Sequence, residues 1–238
     1  MATNNSKHIS QQFEAELQDI RSHVLAMGGL VEKQVAGALE ALMTGDAEMA
    51  RQVITDDQLV NDFEMKIDEE CIQIIALRQP TARDLRLVSA IQKTITDLER
   101  IGDEANSIAR KALNLSDKDR PKKNYRELSA LGNHVRGMLR DALDAFARFD
   151  VDAALKVARE DQDVDSEYES IIRQLITYMM EDPRTISRVL DLIWSARSLE
   201  RIGDHAHNVC EYVIYLVEGK DVRHLSLENM EKLLQRNK

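Results

Sequence analysis

Four carboxylates are the first candidates for chemistry. Glu99 and Asp103 stand four residues apart, as do Glu200 and Asp204, each pair inside a hexamer, LERIGD, that occurs unchanged at Leu98–Asp103 and Leu199–Asp204. Residues four apart on an α-helix differ by about 40° around the axis and sit one turn above each other. Two like charges so placed destabilise a helix by roughly 0.2–0.5 kcal/mol. That cost recurs in both copies, which points to a cation nearby. When 84–115 is aligned with 185–216, only 3 of 26 positions outside the hexamer are identical, against 6 of 6 inside it. Packing alone would keep Leu98 and Ile101 apolar without fixing Glu, Arg, Gly and Asp.

A second set of side chains has the same spacing. Asp57 precedes Asn61 and Asp161 precedes Asp165, within the matching stretches DQLV at 57–60 and DQDV at 161–164. Glu64 continues the first set, and its counterpart is Tyr168. One such pair facing the acidic pair of one hexamer offers about four to six oxygen ligands, a hard-cation site suited to Mg²⁺, Mn²⁺, Ca²⁺ or an iron ion. His207 adds a nitrogen three residues beyond Asp204, and Asn106 holds that position in the first half. A mid-helix glycine costs about 1 kcal/mol relative to alanine, so Gly102 and Gly203 imply close approach of a neighbouring helix or a bound group. Arg100 and Arg201 point to another face and read as partner contacts. Cys71 and Cys210 read as small buried thiols, and Trp194 as packing or interface.

Motifs for other chemistries are absent. There is no GxxxxGK[ST], GxGxxG, HExxH or GxSxG, and no paired Glu-x-x-His of the di-iron oxidases. The reading is therefore a binding protein and not an enzyme.

These residues need long helices to hold them. Aromatics are only 4% of the chain, with 9 Gly and 3 Pro among 238 residues, a composition that disfavours a β-protein. Pro80, Pro121 and Pro183 mark joints, and elsewhere apolar residues recur at three-four spacing. The pattern predicts α-helices at 7–43, 47–78, 82–115, 124–148, 151–181 and 184–218, a charged linker at 116–123, and a short last helix within 225–236. Asp46 and either Asp150 or Asp152 are the expected N-caps. The expected fold is all-α: two tandem, pseudo-symmetric, antiparallel three-helix bundles built from six long helices. One repeat spans 1–116, the other 124–220, and 221–238 is a C-terminal tail. Heptad seams run through Leu87, Ile91, Thr94, Leu98 and Ile101 in the third helix and Leu192, Ser195, Leu199 and Ile202 in the sixth.

The net charge of −10 argues against nucleic acid as the main partner. Two cysteines form no disulfide framework, no stretch reaches the roughly 20 apolar residues of a membrane span, and the first residues hold no apolar signal core. The expected location is the cytosol.

The duplicated unit with E/DxxxD in each half, LERIGDEANSIA and LERIGDHAHNVCEY, resembles the PhoU family. The likeness runs from ISQQFEAELQDIRSHVLAMGGLVEKQV through YVIYLVEGKDVRHL. It implies a cytoplasmic, helical, homodimeric negative regulator that keeps the phosphate regulon off when phosphate is plentiful. It implies as partners the ATPase of the phosphate ABC transporter and a phosphate-sensing histidine kinase. It also implies metal on the acidic motifs, as iron or zinc clusters in some members. That role falls here on Glu99, Asp103, Glu200 and Asp204, with Asp57, Asn61, Asp161 and Asp165 facing them. Mg, Mn, Fe and Zn are the candidate ions. The alternative is a metal-free scaffold that grips basic partner surfaces with the same acids.

Overall fold

The computed structural model describes residues 2–117 and 122–235, with side chains over 11–117 and 125–234. Its helices are α1 (Ala2–Thr44), α2 (Ala47–Arg78), α3 (Ala82–Leu115), α4 (Lys122–Arg148), α5 (Val151–Glu181), α6 (Ile186–Glu218) and α7 (Leu227–Gln235), with a 3₁₀ turn at Pro183–Thr185. The boundaries follow the periodicity closely, except that α1 begins earlier. Part of the expected linker, 118–121, and the end of the tail lie outside the described residues. Asp46 caps α2 by accepting from the Met49 backbone N–H at 3.0 Å. Asp150, not Asp152, caps α5 through Ala153 at 2.9 Å.

α1, α2 and α3 form one antiparallel bundle and α4, α5 and α6 the other. The bundles meet through α3 on α6 and α1 on α4, while α2 and α5 lie outside. One continuous apolar core runs through both. The expected seams are buried, with Leu98, Ile101, Leu199 and Ile202 fully so.

α3 and α6 run antiparallel. Asp97 faces His205, Asn208 and Tyr212, and Glu104 pairs with Arg201 at 2.6 Å. This register brings the two LERIGD copies level, with a pseudo-twofold axis between them. The same axis relates α1 to α4. A methyl added at Gly28 would lie 2.7 Å from Leu143 Cδ2, and one at Gly132 would lie 2.5 Å from Leu39 Cδ1. Each glycine is thus the hole that receives the other bundle's leucine.

Two outcomes follow for stability, both read by chemical denaturation. Leu39→Ala alone costs about 2–5 kcal/mol, and Gly132→Ala alone forces repacking of about 1–3 kcal/mol, less about 1 kcal/mol of helix propensity. In the double variant the new methyl fills part of the void, so the loss falls at least about 1 kcal/mol short of the sum. Strict additivity would refute the pairing. Asp97→Ala strips the acceptor from two buried groups, His205 and Tyr212, and from the half-buried amide of Asn208, and costs about 3 kcal/mol or more. A loss below about 1 kcal/mol would mean that the network carries no stability.

Candidate metal centre

Each bundle builds its acidic site in the same way. The hexamer glycine turns toward the second helix of its own bundle. A methyl at Gly102 would come 3.1 Å from Gln34 Oε1 and 3.6 Å from Asp57 Oδ1, and one at Gly203 would come 3.3 Å from Val164 Cγ1. The close approach implied by two mid-helix glycines is therefore to side chains of neighbouring helices. It sets the acids of α2 beside those of α3, and those of α5 beside those of α6.

In the second bundle Asp165, Glu200 and Asp204 each bring a carboxylate oxygen within 4.8 Å of the others. Among the described residues no other three acidic, His or Cys side chains gather so closely. Asp161 stands beside them with its Oδ2 2.9 Å from His207 Nδ1. One oxygen of Glu200 accepts from Arg197, whose guanidinium also lies 5.8 Å from the centre of the Tyr168 ring. The other oxygen, Oε2, is buried without a hydrogen-bond partner, as is His207 Nε2. Glu211 Oε1 is 3.9 Å from that nitrogen. A buried acceptor left unpaired costs about 1–3 kcal/mol, so Glu200 Oε2 is the atom that a cation held by Asp165, Glu200 and Asp204 would satisfy. Carboxylate oxygens with one imidazole nitrogen suit Mg, Mn, Fe or Zn.

The electrostatics agree with the geometry. Burial raises the Glu200 carboxyl to about 7, and Asp204 adds to the rise. Asp204 and Asp165 keep solvent contact, yet the protein around them and the charge of Asp161 raise both. Burial alone would lower His207, but the hydrogen bond and charge of Asp161, with Glu211 and Asp204, outweigh it and raise the imidazole.

The first bundle is wired differently. Asp57 accepts from Gln34 Nε2 at 3.2 Å and from Asn106 Nδ2 at 2.7 Å. The oxygen of Asn106 accepts from Arg110 Nε at 2.9 Å, so both ends of this candidate ligand are engaged. Asn61, one turn beyond Asp57, is half-buried. Glu99 and Asp103 are both raised by burial first, then by each site's neighbouring acids, Asp103 for the former and Asp57 for the latter. Glu64 belongs to this group, raised by burial, by Asp68 and by Asp103. The sequence signal for it was its place seven residues after Asp57, which its counterpart Tyr168 obscured. Of the two hexamer arginines, Arg201 is taken by Glu104 across the bundle interface, while Arg100 is exposed and lowers Glu99. Cys71 and Cys210 are buried thiols, the first pushed up to about 12 by burial.

Comparison with known proteins bears on the whole chain. A family model described as "PhoU domain" matches residues 24–112 and 128–213. A Pseudomonas putida protein named "Phosphate-specific transport system accessory protein PhoU homolog" is 58% identical over 228 residues, 96% of this chain and 89% of that protein. The crystal structure of PhoU from Pseudomonas aeruginosa superposes with a TM-score of 0.85 at 57% identity, covering 87% of this chain and all of that one. The phosphate transport system regulatory protein PhoU from Streptococcus pneumoniae gives 0.82 at 31% identity, covering 88% and 99%.

The raised Glu200 carboxyl sets a pH dependence for the metal-free protein. A group protonated more readily in the folded chain supports the fold below its ordinary 4.5, and that support is lost as pH rises through about 7. Chelator-treated protein therefore melts at a lower temperature at about pH 7.5 than at about pH 5, and Glu200→Gln removes part of the difference. Parallel thermal melts check this; an identical pH profile in the variant would exclude Glu200 as its source.

Proposed function

The chain belongs to the PhoU family, and on that premise we propose that it is an accessory protein of phosphate-specific transport that holds the phosphate regulon off when phosphate is plentiful. In this reading it is a cytoplasmic homodimer that bridges the transporter ATPase and a phosphate-sensing histidine kinase, and it catalyses no reaction itself. Likeness over nearly the full length of the named relatives supports the accessory role. No helix among the described residues is long and apolar enough to cross a membrane, in keeping with membrane contact made through partners.

The site carries the second part of the proposal. Asp161, Asp165, Glu200, Asp204 and His207 hold a metal ion, and the buried unpaired Glu200 Oε2 is the observation that supports this. A bound cation supplies positive charge where acids of two helices crowd together, and so ties α5 to α6. Asp57, Asn61, Glu99, Asp103 and Asn106 form the first-bundle counterpart. It binds more weakly, because amide groups already satisfy Asp57. A regulator of this kind switches only if its ligand binds two states of the chain differently.

A metal-free scaffold is the second reading. Arg197 on Glu200 favours it, since it shows a guanidinium group meeting this acidic face. The two readings separate by experiment. Elemental analysis of protein purified without chelator shows metal in the parent and its loss in Glu200→Gln/Asp204→Asn, with a smaller change in Glu99→Gln/Asp103→Asn. No metal in the parent, or equal metal in all three, would sink the metal site. Pull-down of the transporter ATPase and the kinase at high and low phosphate tests the adaptor role; capture of neither would end it.

A further inference from the structure

The end of the α5–α6 pair exposes apolar side chains that the fold does not require. Ile186, Leu190 and Trp194 follow one another at single-turn intervals along α6, and Ile176 and Met180 do so along α5. Their exposures are 43%, 42% and 57%, then 43% and 79%. The register set by His207 on Asp161 puts Ile176 and Met180 level with the Leu190 and Ile186 turns. The first bundle is an internal control. Ile72 and Leu85 remain apolar there, but Ala76, Ser89 and Lys93 stand where the second bundle has Met180, Leu190 and Trp194. The Lys93 ammonium lies over the rings of Tyr212 and Tyr215. Ile75 and Leu77 are also exposed in the first bundle, with Leu77 lining a groove against α1 beside Glu16 and Ile20.

Size and charge narrow what covers this patch. If each large side chain offers on the order of 200 Å², the five present roughly 500 Å². That is at the upper end for the largest patch of a monomer and below the roughly 800 Å² per partner of an interface between globular proteins. It suits one helix laid in a groove. About 15 Å beyond Trp194 along the same pair, the surface becomes acidic. Asp165 and Asp204 are exposed there, with Asp161 beside them, while Arg197 and Arg173 are already paired with Glu200 and Glu169.

We infer that the α5–α6 face docks an amphipathic helix of a partner protein, about 18 residues long at 1.5 Å per residue, apolar at the end over Trp194 and rich in Lys or Arg at the end over Asp165 and Asp204. The inference rests on the adaptor reading above and is independent of the metal. Neutralising the acids with a cation weakens the basic end of the contact and leaves the apolar end, so the two occupants of the groove communicate.

Trp194 is the only tryptophan of the chain and reports on its own surroundings. The full-length protein is titrated with a synthetic helical peptide of about 18 residues, Leu along one face of its first half and Lys along the same face of its second. A matched peptide carries Glu for Lys. The Leu–Lys peptide gives a saturable blue shift of Trp194 emission, and the Glu peptide binds at least about tenfold more weakly. Met180→Ser/Leu190→Ser, at exposed positions, lowers affinity about tenfold or more with an unchanged melting curve. Asp165→Asn/Asp204→Asn flattens the salt dependence. Absence of a shift, equal binding of both peptides, or unaltered binding by the Met180/Leu190 variant overturns the inference. So does a blue shift produced instead by raising the protein concentration or by zwitterionic phospholipid vesicles. Partner capture that survives Met180→Ser/Leu190→Ser leaves the adaptor reading standing and removes this surface from it; saturable peptide binding without capture of either partner does the reverse.

Discussion

A carboxylate buried between helices must have its hydrogen bonds met, and Asp97 of α3 meets them with three groups of α6: the ring of His205, the amide of Asn208 and the hydroxyl of Tyr212. Removing such a group from water is costly unless every lone pair finds a donor. The contact therefore admits one register of α3 on α6 and rejects slips of a turn in either direction. That register sets the two hexamers level. It also sends Arg201 to Glu104 and leaves the acids of each hexamer turned toward α2 and α5. The glycine–leucine exchange between α1 and α4 obeys the same axis, so both interbundle contacts close together around one continuous core.

Duplication made two sites, and a handful of substitutions made them unlike. Glu64 and Thr96 of the first bundle are replaced by Tyr168 and Arg197 in the second, which exchanges an acid for a cation stacked near an aromatic ring. Asn106 becomes His207. Gln34, which donates to Asp57, has the fully buried Met138 as its counterpart. The first bundle thereby meets both oxygens of Asp57 with amide donors, whereas the second leaves an oxygen of Glu200 and a ring nitrogen of His207 buried without partners. An unpaired buried group is expensive to keep unless something binds it. The physical difference between the two halves thus lies in what meets the acids: amides on Asp57 in the first, a guanidinium on Glu200 and an imidazole on Asp161 in the second.

Much of this was legible in the residues. Three-four periodicity placed the six long helices, because burying an apolar stripe is a local pattern with a long reach. Asp46 was identifiable as a cap, since an N-cap needs only its own helix. The choice between Asp150 and Asp152 was not, because both can accept from a first-turn N–H and the backbone at Asp150 alone is extended. Glu99, Asp103, Glu200 and Asp204 stood out because identity against diverged surroundings survives any uncertainty about packing. Glu64 was weaker, since its counterpart had changed type.

By itself, then, the sequence determined the helices, the seams, the doubling and the acidic pairs, all of which depend on spacing along one chain segment. Only the tertiary structure decided which acids meet. It brought Asp165 to Glu200 and Asp204, tied Asn106 to Asp57, and paired Arg201 with Glu104. It also turned Trp194 outward. Those outcomes depend on how one helix lies against another, and that is fixed by which buried polar groups find donors and which glycines leave room. No periodicity along a single helix contains that information.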